Sequence, residues 1–321
     1  MTGLVTDTVT YPRAIRVANA PCSWGTIEGF GDKTPWNTVL DELTATGYLG
    51  TELGDYGFMP ADPALLSHEL QTRGLVMLGG FEGVPLRRAG IVAARRERLL
   101  KVAKLLAAVA DPAKAGRRPY FILADETRGD AHRTAVAGRV RRDDALTAED
   151  QQTFVRNAEE IARLVEGETG LRTLFHHHCA AFVETPDEIA RFLDASEAGL
   201  IDLVFDTGHY TYGCGVPDDG SLALEGLQRF WDRVPYVHLK DCHPAVAADA
   251  RAKELDYAAA VGAGVFCELG RGSVDLEGII EFLRRHDYQD WLTVEQDVLP
   301  GMGTPRESAA RNRRELEGLG L

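Results

Sequence analysis

The sequence predicts an α/β protein, a single (β/α)8 barrel, on three observations. Strand-like and helix-like segments alternate eight times along the 321 residues. That alternation implies a parallel sheet, and eight repeats favour a closed one. No G-x-G-x-x-G follows the first strand, as an open dinucleotide-binding sheet would require. Residues of metal-ligand type also end several strand-like runs at regular intervals. His176 to Asp206 is 30 residues and Asp206 to His238 is 32, against roughly 31 for one of eight units sharing about 250 residues.

The elements follow in order. Residues 14–20 read as strand one, closed by Pro21-Cys22-Ser23-Trp24-Gly25. Residues 36–45 put Leu40, Leu43 and Ala45 on one helical side. Strand two is 49–53, then come a helix over 63–73 and strand three over 75–81. Residues 91–111, rich in Ala, Leu, Arg and Lys, form a long helix, and 119–124 is strand four. The polar, basic stretch 128–144 reads as a loop before a helix over 147–166. Strand five is 173–178, and Thr185 caps a helix that begins at Pro186 and reaches 193. Strand six (201–206), a helix (222–231), strand seven (236–238), a helix (274–285), strand eight (291–295) and a closing helix (305–316) complete the TIM-barrel pattern.

Two segments lie outside the repeat. Residues 1–12 read as a loose leader. His238 to Glu295 is 57 residues, one unit plus an excess of about 25, so 243–271 is an insertion after strand seven. It falls at the C-terminal end of a strand, the active-site face of a barrel, which makes it a candidate lid. The chain is otherwise one domain, a length that barrels reach without splitting.

Composition narrows the function. With 49 acidic against 35 basic residues and a net charge of −14, the chain lacks the electrostatic footprint of a nucleic-acid or anionic-membrane partner. The basic group Arg139, Arg141 and Arg142 reads as a solvated loop or a contact between subunits. No run approaches the roughly 20 apolar residues of a membrane span. Five cysteines, Cys22, Cys179, Cys214, Cys242 and Cys267, show no C-x-x-C spacing. An odd count without pairing, and no apolar signal segment, point to the cytoplasm.

The residues at the strand ends carry the chemistry. Inward carboxylates are costly to bury unpaired, and two close together raise one another's pKa; a shared cation removes both costs. His176, Asp206, His238 and Glu295 therefore read as a divalent-metal set of nitrogen and oxygen donors without thiolate. Mn²⁺ is preferred on the two carboxylates, with Co²⁺, Zn²⁺ and Fe²⁺ as alternatives. Side chains alternate along a strand, so His176 and His178 share a face and His177 takes the other. Which of His176 and His178 is the first ligand stays open.

At these residues a family resemblance enters. Phe205-Asp206-Thr207-Gly208-His209, Val237-His238-Leu239-Lys240-Asp241 and Val294-Glu295-Gln296-Asp297 resemble the xylose-isomerase-like TIM barrels, the sugar-phosphate isomerase and epimerase group. Cys22-Ser23-Trp24-Gly25, Thr51-Glu52-Leu53-Gly54, the His176-His177-His178 run and Trp291-Leu292-Thr293 bring it nearer the myo-inosose-2 dehydratases within that group. The resemblance spans about Ile15 to Leu316. It implies a divalent metal, Mn²⁺ or Co²⁺ in the dehydratases, at the mouth of the barrel. The group's epimerases and isomerases carry Glu on strand five where His176 stands here, which disfavours a two-glutamate epimerase mechanism.

The expected reaction is dehydration of a cyclic keto-polyol, 2-keto-myo-inositol or similar, through an enolate held by the metal charge. His178, His209 and Lys240 are the proton-transfer candidates. His209 has the alternative of hydrogen-bonding a ligand carboxylate, and Lys240 that of pairing with Asp241 or Asp206. Trp24, Glu52 and Glu268 are the substrate-binding candidates. Their alternatives are core packing for Trp24, a salt bridge or helix cap for Glu52, and a solvated loop for Glu268.

The competing expectations use the same site. One is the catalytic subunit of a C-glycoside deglycosylase, acting on 3-keto-glycosides beside a small β-sandwich partner subunit. Another is a keto-sugar isomerase or epimerase, and a third is a polyol-binding barrel without turnover. A homo-oligomer is compatible with all of them.

Overall fold

A computed structural model describes residues 14–25, 33–217 and 219–321, so the expected leader lies outside the described residues. The strands are β1 (Arg16–Asn19), β2 (Gly50–Thr51), β3 (Val76–Met77 and Gly79–Val84), β4 (Tyr120–Asp125), β5 (Thr173–His176), β6 (Ile201–Asp206), β7 (Tyr236–Leu239) and β8 (Trp291–Val294). All pair in parallel, β1 with β8 and β2, then β8 with β7, β7 with β6, β6 with β5 and β5 with β4.

Closure happens at β3, whose first segment pairs with β2 and whose second pairs with β4. Leu78 joins the two. Its amide donates to Thr51 O at 2.9 Å, and its carbonyl accepts from the Tyr120 amide at 2.9 Å. Gly79 follows because no side chain fits: a Cβ there would stand 2.8 Å from Ile122 Cδ1 and 3.2 Å from Tyr120 O.

Two apolar layers hold the barrel. Between strands and helices lies the large core that includes Phe121, Phe175, Phe154, Phe192 and Leu106. Inside, alternate strand residues pack Trp291, Tyr236, Ile122, Leu174 and Val204 against one another. Each such side chain contributes about 1.5–3 kcal/mol on burial. The same alternation, continued two residues past Leu174, Val204 and Tyr236, turns His176, Asp206 and His238 inward. Among the described residues no helix is long and apolar enough to cross a membrane.

Helix Pro186–Ala195 begins at Thr185 in a full capping box with Glu188, as expected. The stretch 128–144 is not a loop throughout: it holds a helix, Ala131–Val136, capped by Asp130. The basic composition was misleading because Arg133 is buried. Its guanidinium donates to both carboxylate oxygens of Glu188 at 2.9 Å and to Ala181 O at 3.1 Å, a bidentate pair that fixes the segment. Arg139 likewise turns inward, donating to Ala135 O and Leu255 O.

Next to this pair, Glu184 accepts from the amides of Gly138 (2.6 Å) and Ala180 (2.9 Å), and Asp125 from those of Leu86 and Phe182. Together they clamp the turn after β5, where Ala180 and Val183 take positive φ values of 65° and 68°. For a β-branched residue such as Val183 this is strained. Burial pushes Glu184 up to about 7, against the opposing charge of Arg133, and Asp125 up to about 6. The folded state thus keeps protons that the unfolded chain releases near pH 4. Stability from these groups is present at low pH and lost as pH rises through 6 to 7. Urea unfolding of the metal-free protein should show this decline, and Glu184→Gln should flatten it by up to roughly 1.4 kcal/mol per pH unit. An unchanged slope in the variant would exclude Glu184 as a source.

Candidate metal centre

Strand tilt brings four ligand-type side chains to one level. Asp206 and His238 are register partners, Glu295 lies two residues past Thr293, the partner of His238, and His176 is the partner of Val204. One donor atom from each of His176, Asp206, His238 and Glu295 lies within 4.8 Å of all the others. Asp206 is divided in function. Its Oδ1 caps the helix Thr207–Gly213, accepting from the His209 amide at 2.7 Å. Its Oδ2 is buried, has no hydrogen-bond donor, and faces His176 Nε2 at 3.8 Å.

That bare oxygen is the test of fit. An ionised carboxylate oxygen sealed from water needs a proton or a cation, and burial pushes Asp206 up to about 7 in spite of nearby Lys240. Glu295 lies the other way. Burial raises it, but His238 and Lys240 outweigh that and hold it well below the ordinary carboxylate range. His238 Nδ1 is 3.0 Å from Glu295 Oε1, and its Nε2 is 2.8 Å from Glu52 Oε1. An Nε2–H donated to Glu52 leaves Nδ1 as the donor toward the cluster, the carboxylate–histidine arrangement that orients metal ligands. Two imidazoles and two carboxylates without thiolate suit Mn²⁺, Fe²⁺, Co²⁺ or Zn²⁺.

The set opens into a cavity of about 230 Å³ that His176, Glu295 and Lys240 line. Lys240 Nζ stands 3.3 Å from Glu295 Oε2 and 3.7 Å from Asp297 Oδ2, so its partners are these two carboxylates. Its stem packs on Gly208, where a Cβ would meet Lys240 Cγ at 2.6 Å. The Gly of the Asp-Thr-Gly-His run is therefore what lets the lysine reach the site. His178 Nδ1 is 2.6 Å from Cys179 O, which fixes the proton on Nδ1 and leaves Nε2 with a free lone pair. Burial lowers His178 to about 4, so the ring is neutral at pH 7.

Residues 121–317, more than half the chain, match the family described as xylose isomerase-like TIM barrel. The chain belongs to that family. An inosose dehydratase of Geobacillus kaustophilus is 29% identical over 95% of this chain and 94% of its own. The rhizopine catabolism protein MocC of Rhizobium meliloti is 31% identical over 94% and 88% respectively. Among solved structures, the IolI protein with a bound zinc atom superposes with a TM-score of 0.67 at 12% identity, over 95% of this chain and 98% of that one. The probable 3-DHS dehydratase AsbF of Bacillus anthracis gives 0.68 at 12% identity, over 94% and 99%. At such identities these structures speak for the xylose isomerase-like fold.

Within that fold the remaining expected site residues scatter. His176 and His178 both line the cavity and His177 does not. His177 instead accepts the Asp206 amide on Nε2 at 3.1 Å. Glu52 lines the cavity, but its Oε1 is occupied by His238 and by the Tyr236 hydroxyl at 2.8 Å. His209 stands behind the wall, its ring centroid 3.8 Å from that of His178, because the capped turn after Asp206 carries it away from the opening.

Two expected substrate contacts are misplaced. Trp24 is fully buried in the core, and its indole N–H donates to Glu42 at 2.6 Å. Glu268 is drawn outward by Arg311, which donates to both its carboxylate oxygens at 2.7–2.9 Å, and by Ser308. Asp297 and Tyr257 line the cavity without having been singled out. Asp297 stood within the Val294-Glu295-Gln296-Asp297 run, two residues past Glu295. Tyr257 lies in the segment 243–271, where no periodicity points to a site.

Proposed function

We propose that this protein is a divalent-metal-dependent lyase that removes water from a cyclic keto-polyol, 2-keto-myo-inositol or a near relative. The observation that carries the reading is the His176, Asp206, His238 and Glu295 set at a small cavity, with a neutral histidine and a charged lysine on its wall. Relatives named inosose dehydratase, alignable over nearly the whole chain, support the substrate class. Mn²⁺ is the preferred cation, and these four residues would hold it. A divalent cation there supplies Lewis acidity, polarising a ketone and acidifying the neighbouring C–H.

The chain's own groups divide the proton work. His178, neutral and with Nε2 unprotonated, accepts the proton from the carbon beside the ketone. Lys240 keeps its proton: burial lowers its pKa, but Asp297, Glu295 and Asp206 more than reverse this. Its ammonium donates to the departing hydroxyl, which leaves as water. Glu52 holds His238 in the tautomer that presents Nδ1. His209, packed against His178, keeps that ring in place.

The deciding experiment is proton NMR of 2-keto-myo-inositol with metal-stripped protein in D₂O, with and without Mn²⁺. Loss of water only with metal is the expected result. Deuterium exchange or a new isomer without water loss would reassign the protein as an isomerase, and no change would remove the substrate assignment.

A further inference from the structure

The cavity has a fourth wall that the barrel does not supply. Three sides are strand ends and their loops; the fourth is Tyr257, Ala258 and Val261 of the helix Tyr257–Gly262, from within the insertion. This helix is anchored at several points. Asp256 caps it, accepting from the Ala259 amide at 2.8 Å. Behind it, Val261, Ala260, Val265 and Phe266 pack with Tyr212, Cys179 and Ala137 in a core of their own. The antiparallel ribbon of Asp241–Cys242 with Phe266–Cys267 ties its far end to the strand-seven connection. Asp241 then clamps the exit, accepting from the amides of Gly270, Gly272 and Val274.

The wall is apolar where it faces the charged metal side, and Tyr257 stands over the proton-transfer histidine, its ring 5.7 Å from that of His178. At about 230 Å³ the cavity falls below the roughly 300–1,000 Å³ of sites for drug-sized ligands. It accommodates one six-membered polyol ring, with its C–H face on Tyr257 and Val261 and its hydroxyls toward the charged side.

Resting on the proposed dehydratase reading, we propose that the helix Tyr257–Gly262 is the specificity wall of the site. Tyr257 and Val261 restrict the substrate to a single unsubstituted ring. The insertion is thus what separates a free keto-polyol from a keto-glycoside as substrate, with the proton chemistry unchanged.

The test compares kcat/KM for 2-keto-myo-inositol and for its mono-O-benzyl ether in the Mn²⁺-loaded full chain. Wild type should strongly prefer the free ketone. Tyr257→Ala with Val261→Ala should shrink that preference by at least about tenfold, the scale of one or two misfit carbon groups. Ala258→Phe, which fills the cavity, should act in the opposite sense and raise KM for the free ketone while kcat changes less. An unchanged preference in the enlarged variant, with circular dichroism showing it folded, overturns the proposal. If that variant does not fold, Ala258→Phe decides, and an unchanged KM overturns it. If wild type turns over neither ketone, the dehydratase reading fails separately. The wall is then judged by calorimetry with myo-inositol and its mono-O-benzyl ether: discrimination that Tyr257→Ala abolishes upholds it, and its absence or persistence overturns it.

Discussion

Glu295→Gln should abolish turnover and strip the site of its cation. The substitution preserves shape and removes one of only two anionic donors in the set. Loss of an outer-shell partner already costs metal affinity roughly 10–100-fold, so loss of a ligand carboxylate should exceed that. Two neighbours sharpen the prediction. Glu295 lies 3.0 Å from His238 Nδ1 and 3.3 Å from Lys240 Nζ. Without its charge, His238 loses one of the two carboxylates that raise it to about 10, though Glu52 remains. The lost carboxylate charge leaves the site less able to hold a dication. The measurement is metal content by elemental analysis after dialysis, alongside the rate at which the keto-polyol loses water. A variant that keeps one equivalent of metal and full activity would refute the assigned ligand set.

Much of this site could be read from the sequence because barrel geometry converts spacing into position. His176, Asp206 and His238 recur at one strand-helix interval, and the register brings their side chains to one level. Alternation also separated His177 from His176 and His178 correctly. Elements defined by long-range pairing were less legible. The stretch 128–144 looked solvated because the partner of Arg133, Glu188, lies 55 residues away. Trp24 and Glu268 were placed near substrate from their position along the chain. Glu42 and Arg311, which hold them elsewhere, are distant in sequence and carry no motif. The segment 243–271 showed itself only as excess length between His238 and Glu295, so the residues it adds to the cavity could not be read.

Lys240→Met should separate catalysis from metal binding, in contrast with Glu295→Gln. Methionine keeps the length of the stem that packs on Gly208 and near Phe266, where the ammonium lies 4.9 Å from the ring centroid. What disappears is the proposed proton donor and one positive charge beside the donor set. Metal should be retained, since a cation that repelled it is gone, while kcat falls about 10²–10⁴-fold, the usual worth of a positioned acid. KM should move little if the ammonium acts chiefly on the departing hydroxyl. The variant also strands Asp297, buried and deprived of the lysine that opposes the upward pull of burial on its pKa. Breaking such a pair costs up to about 3–5 kcal/mol, less if Asp297 takes up a proton. A lower urea midpoint that recovers on acidification would be the mark of that stranded carboxylate, because protonation removes the uncompensated charge. Wild-type kcat in a folded, metal-loaded Lys240→Met protein would take the lysine out of the chemistry and leave the departing hydroxyl to another donor.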